Sequence, residues 1–148
     1  MPIFTVVAAV ILLDQATKFF ILKKLSLYHS VPVIDGFFHL TLVYNRGAAF
    51  GIFKGGVWFF VLAACLAVAG IMFYLRSRKG ALEFSSSFAL SLIMGGAIGN
   101  LVDRLRFGVV IDFLDFKIWP VFNIADSAIT CGVAIILFSL LREKKSIA

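Results

Sequence analysis

The chain has 148 residues, of which 61% are hydrophobic and only 15% charged, and its mean hydropathy is +1.03. A soluble domain is nearer to half apolar and a quarter charged, so this composition excludes a soluble protein and predicts one membrane domain over residues 1–148. The net charge of +6 does not indicate nucleic acid binding, because the basic residues are scattered over loops and predicted helix ends, where they suit anionic lipids.

The first predicted transmembrane helix covers residues 3–22, which are apolar except for one short polar group around Asp14 and Lys18. These two residues are spaced i,i+4, so they lie on one helix face and can form an ion pair. Charged groups inside a membrane are often functional. A simple salt bridge that lets the helix insert and a role in a site both remain open.

Residues 23–56 are punctuated by glycine and proline and predict a segment outside the membrane. Residues 38–45 alternate between apolar and polar side chains, which indicates a short β-strand. We therefore expect a small β-containing segment over about residues 31–53, on the membrane surface or over a cavity. Within it, Asn45 and Arg46 precede small residues, a pattern that suits either close backbone approach to a ligand or a tight turn.

Residues 57–75 are uncharged and predict the second transmembrane helix, and residues 84–105 predict the third. Gly96 belongs to a group of glycines in the third helix, where another helix can pack closely. Asn100, Asp103 and Arg104 follow at i, i+3 and i+4, so they share one face. They form either a polar end to the helix or part of a site.

The connector over residues 106–119 carries Asp112 and Asp115 among apolar neighbours, and its pattern is strand-like or loop-like. The fourth transmembrane helix is predicted over residues 119–141, with Pro120 at its start. Asn123 and Asp126 then lie on one face within its first two turns.

Four transmembrane helices place both termini on one side of the membrane. The basic residues are densest in the 76–80 loop and the C-terminal tail, which predicts that this side is cytoplasmic. The polar residues between Asn45 and Asp126 then lie near the outer face.

Two close aspartates cannot both ionise cheaply, so one keeps a proton and the pair can serve as acid and base in peptide hydrolysis. Asp126 is the strongest candidate, because it is expected well inside the fourth helix, and Asp103, Asp112 and Asp115 compete for the other place. The alternative function is a small ion or proton transporter subunit, in which Asp14, Asp103 and Asp126 line a path. The chain has no His-Glu-x-x-His motif and no Cys/His spacing typical of a metal site, so no metal is expected.

Five ordered motifs closely resemble those of the lipoprotein signal peptidase (signal peptidase II) family, and together they cover nearly the whole chain. They are Asp14-Gln15-Ala16-Thr17-Lys18, Asn45-Arg46-Gly47-Ala48-Ala49-Phe50-Gly51, Gly95-Gly96-Ala97-Ile98-Gly99-Asn100-Leu101-Val102-Asp103-Arg104, Val109-Val110-Ile111-Asp112-Phe113 and Phe122-Asn123-Ile124-Ala125-Asp126-Ser127.

This resemblance implies an aspartic endopeptidase of the bacterial inner membrane that removes the signal peptide of a prolipoprotein, just before a diacylglyceryl-modified cysteine. It implies that Asp112 and Asp126 are the catalytic pair. The implied supporting or substrate-binding residues are Asp14, Lys18, Asn45, Arg46, Gly96, Asn100, Asp103, Arg104, Asn123 and Ala125. We expect no cofactor, no nucleic acid, contact with membrane lipids, and a monomer.

Overall fold

The computed structural model describes the backbone of residues 3–47, 56–78 and 82–147, and the side chains of these ranges as far as residue 142. The elements in chain order are α1 (Ile3–Lys24), β1 (Ser30–Ile34), β2 (Phe38–Asn45), α2 (Val57–Ser77), α3 (Phe84–Phe107), β3 (Val110–Asp115) and α4 (Ile124–Ile147).

Four helices are long and apolar enough to cross a membrane, namely α1, α2, α3 and the part of α4 that ends at Arg142. This confirms the predicted all-α membrane class with four transmembrane helices and a small β-structure. Each of the first three helices ends two residues later than predicted. Gly108 caps the end of the third helix. Its φ of 70° is the left-handed conformation that glycine adopts readily, and its N–H donates to the Arg104 carbonyl at 3.0 Å.

The predicted start of α4 was wrong, because the helix begins at Ile124 and not at residue 119. Phe122 instead exchanges backbone hydrogen bonds with Leu114 of β3, which keeps the chain extended beyond Pro120. The helix is then capped by Asn123. Its Oδ1 accepts from the Asp126 N–H at 2.8 Å, while its own N–H donates to Asp126 Oδ2 at 3.3 Å. This is the reciprocal arrangement of a capping box, so Asp126 lies in the first turn of α4 and not well inside it.

The three strands form one antiparallel sheet in the order β1-β2-β3. The predicted strand over residues 38–45 is confirmed, and the connector, whose pattern is strand-like or loop-like, contributes β3. The β-structure is therefore not confined to residues 31–53, and residues 48–53 of that segment lie outside the described part of the chain.

The sheet is fixed to the helices by a small buried cluster of Leu42, Ile111 and Phe113 against Ile21 of α1. Side chains alternate between the two faces of a strand, so Asp112 lies on the face opposite to its neighbours Ile111 and Phe113. Apolar packing on one face therefore sets the position of a carboxylate on the other.

The central helix is α3, which packs against each of the other three. A Cβ atom at Gly95 would lie 2.8 Å from Val10 Cβ of α1, and one at Gly96 would collide with the Ala125 carbonyl of α4. Glycine at these positions lets the helix backbones approach closely. By contrast, α2 has no buried residue, and the helix that it contacts extensively is α3.

Candidate active site

Asp112 of β3 and Asp126 of α4 are brought together by one side chain, Asn123. Its Nδ2 donates to Asp112 Oδ1 at 2.7 Å, and its Oδ1 and N–H form the capping hydrogen bonds with Asp126. Asp112 is 1% exposed, whereas Asp126 is partly accessible. The two carboxylates therefore lie on either side of Asn123 at the start of α4, and Asp126 is the more accessible of the two.

Each carboxylate also accepts a hydrogen bond from a second amide. Asn45 of β2 donates to Asp112 Oδ2 at 3.0 Å, and Asn100 of α3 donates to Asp126 Oδ1 at 2.7 Å. Asn123 and Asn100 are themselves joined by a hydrogen bond of 3.0 Å. Three asparagines from different parts of the chain thus fix the orientation of the two acids.

Burial, and then the neighbouring negative charge of Asp126, raise the pKa of Asp112 to about 7. The hydrogen bonds from Asn45 and Asn123 act in the opposite direction, because they stabilise the charged form. A pKa raised this far lets Asp112 hold a proton near neutral pH, which suits a group that must both give and take a proton.

Beneath the two carboxylates lies a buried ionic cluster centred on Lys18 of α1. Its Nζ lies 2.8 Å from Asp14 Oδ2 and 2.7 Å from Asp103 Oδ2, and it donates to Asn100 Oδ1 at 3.2 Å. The predicted pairing of Asp14 with Lys18 is confirmed. The three donors of the ammonium group each meet one acceptor, so the charge is buried without an unsatisfied hydrogen.

The two aspartates of this cluster hold the segments that carry Asp112 and Asp126. Asp14 Oδ1 accepts from the Ala125 N–H at 3.0 Å, and Asp103 Oδ2 accepts from the Ile111 N–H at 3.1 Å. Each anchored residue directly precedes one of the two acids. The cluster therefore links α1 and α3 to both acid-bearing segments.

Gln15 was missed as a site residue, although it lies in the predicted polar group of the first helix. Its Nε2 donates to Asp103 Oδ1 at 2.9 Å and to Asp14 Oδ2 at 3.1 Å. A polar residue directly beside an intramembrane aspartate was the available signal.

Of the three acids that could have partnered Asp126, only Asp112 shares Asn123 with it. Asp103 is neutralised by Lys18. Asp115 is bonded to Thr41 at 2.6 Å and to Lys117 at 2.8 Å. Burial alone would raise the pKa of Asp115, but these hydrogen bonds outweigh it and lower the pKa.

Four other predicted residues have different surroundings. The Arg104 guanidinium lies 5.0 Å from the Phe60 ring centre and interacts electrostatically with Asp126, Asp112 and Asp103. Arg46 is exposed. Gly96 and Ala125 are buried against each other between α3 and α4, which is a packing role. Substrate contact by Arg46, Gly96 and Ala125 stays a prediction.

Within residues 3–47, 56–78 and 82–142, no three His, Cys, Asp or Glu side chains are grouped in a way that could hold a metal ion. The side-chain nitrogen and oxygen atoms that are buried in this part of the chain all have hydrogen-bond partners within the protein.

The fold agrees with the comparisons to known proteins. The family model for signal peptidase (SPase) II matches residues 6–142, and the chain belongs to this family of membrane peptidases. Together with its four apolar helices, this makes it a multi-pass protein of the bacterial inner membrane.

Close relatives share the whole length of the chain. It is 43% identical over 143 residues to the lipoprotein signal peptidase of Halothermothrix orenii, covering 97% of each chain, and 44% identical over 144 residues to that of Brevibacillus brevis, covering 96% of each. A solved bacterial membrane enzyme superposes with a TM-score of 0.91 at 34% identity, covering 97% of this chain and 90% of the other.

Proposed function

We propose that this protein is an aspartic endopeptidase that cleaves the signal peptide from prolipoproteins, with Asp112 and Asp126 as its catalytic pair. One observation carries the proposal: both carboxylates accept hydrogen bonds from Asn123, Asp112 from its side-chain amide and Asp126 from its backbone N–H. No basic side chain forms an ion pair with either of them in the described part of the chain. Its relatives of similar length carry the name lipoprotein signal peptidase.

The pair shares one proton before reaction. Asp112 acts as the general acid, because its pKa is raised to about 7 and it can hold a proton near neutral pH. Asp126 is the base, since it is the more accessible of the two. Asp126 takes a proton from water as the water oxygen bonds to the scissile carbonyl carbon, and Asp112 gives its proton to the carbonyl oxygen. Collapse of this intermediate breaks the C–N bond. Asp126 gives its proton to the leaving nitrogen, and Asp112 takes a proton back from a hydroxyl group as the carbonyl of the new carboxyl group forms.

The substrate we propose carries a diacylglyceryl group on the cysteine that follows the cleaved bond. A site at the end of a transmembrane bundle, beneath a small sheet, lets the acyl chains remain in the bilayer while the peptide bond reaches the two acids. The denser basic residues at the opposite end support a cytoplasmic position for that end and for both termini. Cleavage then occurs near the outer face, by a monomer that needs no metal and no cofactor.

A transporter subunit is not supported by the family match or by the relatives named above, which are peptidases, or by the superposed structure, which is a membrane enzyme. A proton or ion path needs groups spread over the depth of the membrane. Here Asp14, Asp103 and Asp126 belong to one connected network at one end of the bundle, and Lys18 or asparagine side chains occupy the space between them.

Purified protein offered a diacylglyceryl-modified precursor and its unmodified form tests the proposal directly. Cleavage of the modified form alone is the expected result. Asp112→Asn and Asp126→Asn should each lower kcat by about 10²–10⁴-fold, the range that acid–base groups contribute, and Asp115→Asn is the matched control. Full turnover by either of the first two variants would reject the pair, and an equally inactive Asp115→Asn would reassign it.

The expectation that no metal takes part has its own test. Activity should persist in the presence of a strong chelator. Loss of activity that added zinc restores would contradict the proposed mechanism.

A further inference from the structure

A second feature of the bundle lies far from the two acids. A groove of about 1590 Å³ runs between α2 and α4 over the first half of α3. Its floor is apolar and includes Ile71, Leu90, Ala134 and Phe138. A Cβ atom added at Gly70 would meet no atom within 4 Å, so the groove is open beside α2.

The groove belongs to the opposite end of the membrane from the site. Ser86 lines it near the start of α3, and Asp103 lies 17 residues further along the same helix. At 1.5 Å per residue this separation is about 26 Å, close to the thickness of the hydrocarbon core.

Two arginines stand at the polar end of the groove, Arg78 after α2 and Arg142 on α4. In residues 3–47, 56–78 and 82–142 the ion pairs are those of Lys18 and Lys117, so Glu83, which also lines the groove, forms an ion pair with neither arginine. Arg78 lies over the ring of Tyr74 at 5.4 Å, which leaves its donors available.

We propose that this groove binds an anionic phospholipid of the leaflet opposite to the active site. The phosphate lies between Arg78 and Arg142, and an acyl chain covers the apolar floor between α2 and α4. Basic pockets between transmembrane helices are suited to such head groups. Space at membrane depth must be filled by apolar groups, and α2 buries no residue of its own against α4.

Charge favours this occupant over the transmembrane part of a substrate. Near this end the sequence has six Lys or Arg residues, in 76–80 and 142–145, against Glu83 and Glu143. Signal peptides begin with a positively charged region. That region would be repelled by the two arginines, whereas a phosphate is attracted to them.

Binding of phosphatidylglycerol and of phosphatidylcholine to the purified protein, followed by native mass spectrometry in detergent, tests the proposal. Phosphatidylglycerol should bind more tightly, and Arg78→Gln and Arg142→Gln should each weaken it about fivefold, since one basic residue near a membrane surface contributes about that factor. Arg76→Gln is the matched control, because Arg76 is exposed at the same end and does not line the groove.

Gly70→Leu supplies a test that leaves both arginines in place. A leucine there projects into open space, so the helix should remain folded while binding of phosphatidylglycerol falls. Equal binding of both lipids, an equal loss in Arg76→Gln, or unchanged binding in Gly70→Leu would each overturn the proposal. Cross-linking of a precursor's signal peptide from position 70 in preference to lipid would also overturn it. None of these binding and cross-linking measurements depends on cleavage, so their results are independent of the proposed peptidase activity.

Discussion

Asn123 Nδ2 lies 2.7 Å from Asp112 Oδ1, and this contact joins β3 to the first turn of α4. The same residue caps α4 through Asp126, so one side chain sets both the helix start and the separation of the two acids. A substitution of Asn123 is therefore expected to affect both the stability of the fold and the proposed catalysis.

Asn123→Ala should lower kcat far more than it changes KM, because both carboxylates lose the group that orients them. Leaving buried partners unsatisfied should also reduce the free energy of unfolding by about 1–3 kcal/mol. Steady-state kinetics and thermal unfolding in detergent measure the two effects. Ser127→Ala is the control, since it removes a hydrogen bond to the Asn123 carbonyl and leaves both acids untouched. Normal kcat in Asn123→Ala would contradict the assigned role.

The value of kcat/KM should fall as the pH rises above about 7. The proposed mechanism needs the proton of Asp112, whose pKa is raised to about 7, and raising the pH removes that proton. Asn45→Ala should move this limb to higher pH, because the Asn45 hydrogen bond stabilises the charged form of Asp112. A limb that moves to lower pH would show that the group titrating there is not Asp112. Asp115→Asn should leave the limb in place.

Lys18→Met should destabilise the protein strongly. The substitution keeps the volume of the side chain but leaves Asp14 and Asp103 buried without a counter-charge. Removing one member of a buried ion pair costs about 3–5 kcal/mol. Thermal unfolding checks this against Lys23→Met, which removes an exposed lysine from the same helix. Equal midpoints for the two variants would mean that the cluster does not stabilise the fold.

Gly96→Ala should separate α3 from α4, because the added Cβ collides with the Ala125 carbonyl. Overpacking of this kind costs about 1–3 kcal/mol, and the shift also moves Asp126, one residue away from the contact. Gly70→Ala is the matched control: its Cβ meets no atom, so the helix should gain about 0.5–1 kcal/mol from lower backbone entropy. Unfolding midpoints that change in the same direction would contradict the packing argument.

The sequence predicted the four transmembrane helices, the Asp14–Lys18 pair and the strand over 38–45, since each depends on spacing within one element. A run of apolar residues specifies a membrane helix, and a spacing of four puts two side chains on one helix face, whatever the rest of the chain does.

Only the tertiary structure determined where α4 begins and which acid lies beside Asp126, because both depend on contacts between different elements. Pro120 favoured an early start to α4, but the backbone bonds between Phe122 and Leu114 extend the chain to Asn123. Spacing alone could not choose the partner of Asp126 among the three acids. The position of Asp112 depends on the pairing of β3 with β2, a strand that lies more than 60 residues earlier in the chain. Periodicity in the sequence predicts contacts within one or two turns of a helix. The geometry of the carboxylate pair is instead fixed by asparagines from β2, α3 and the start of α4.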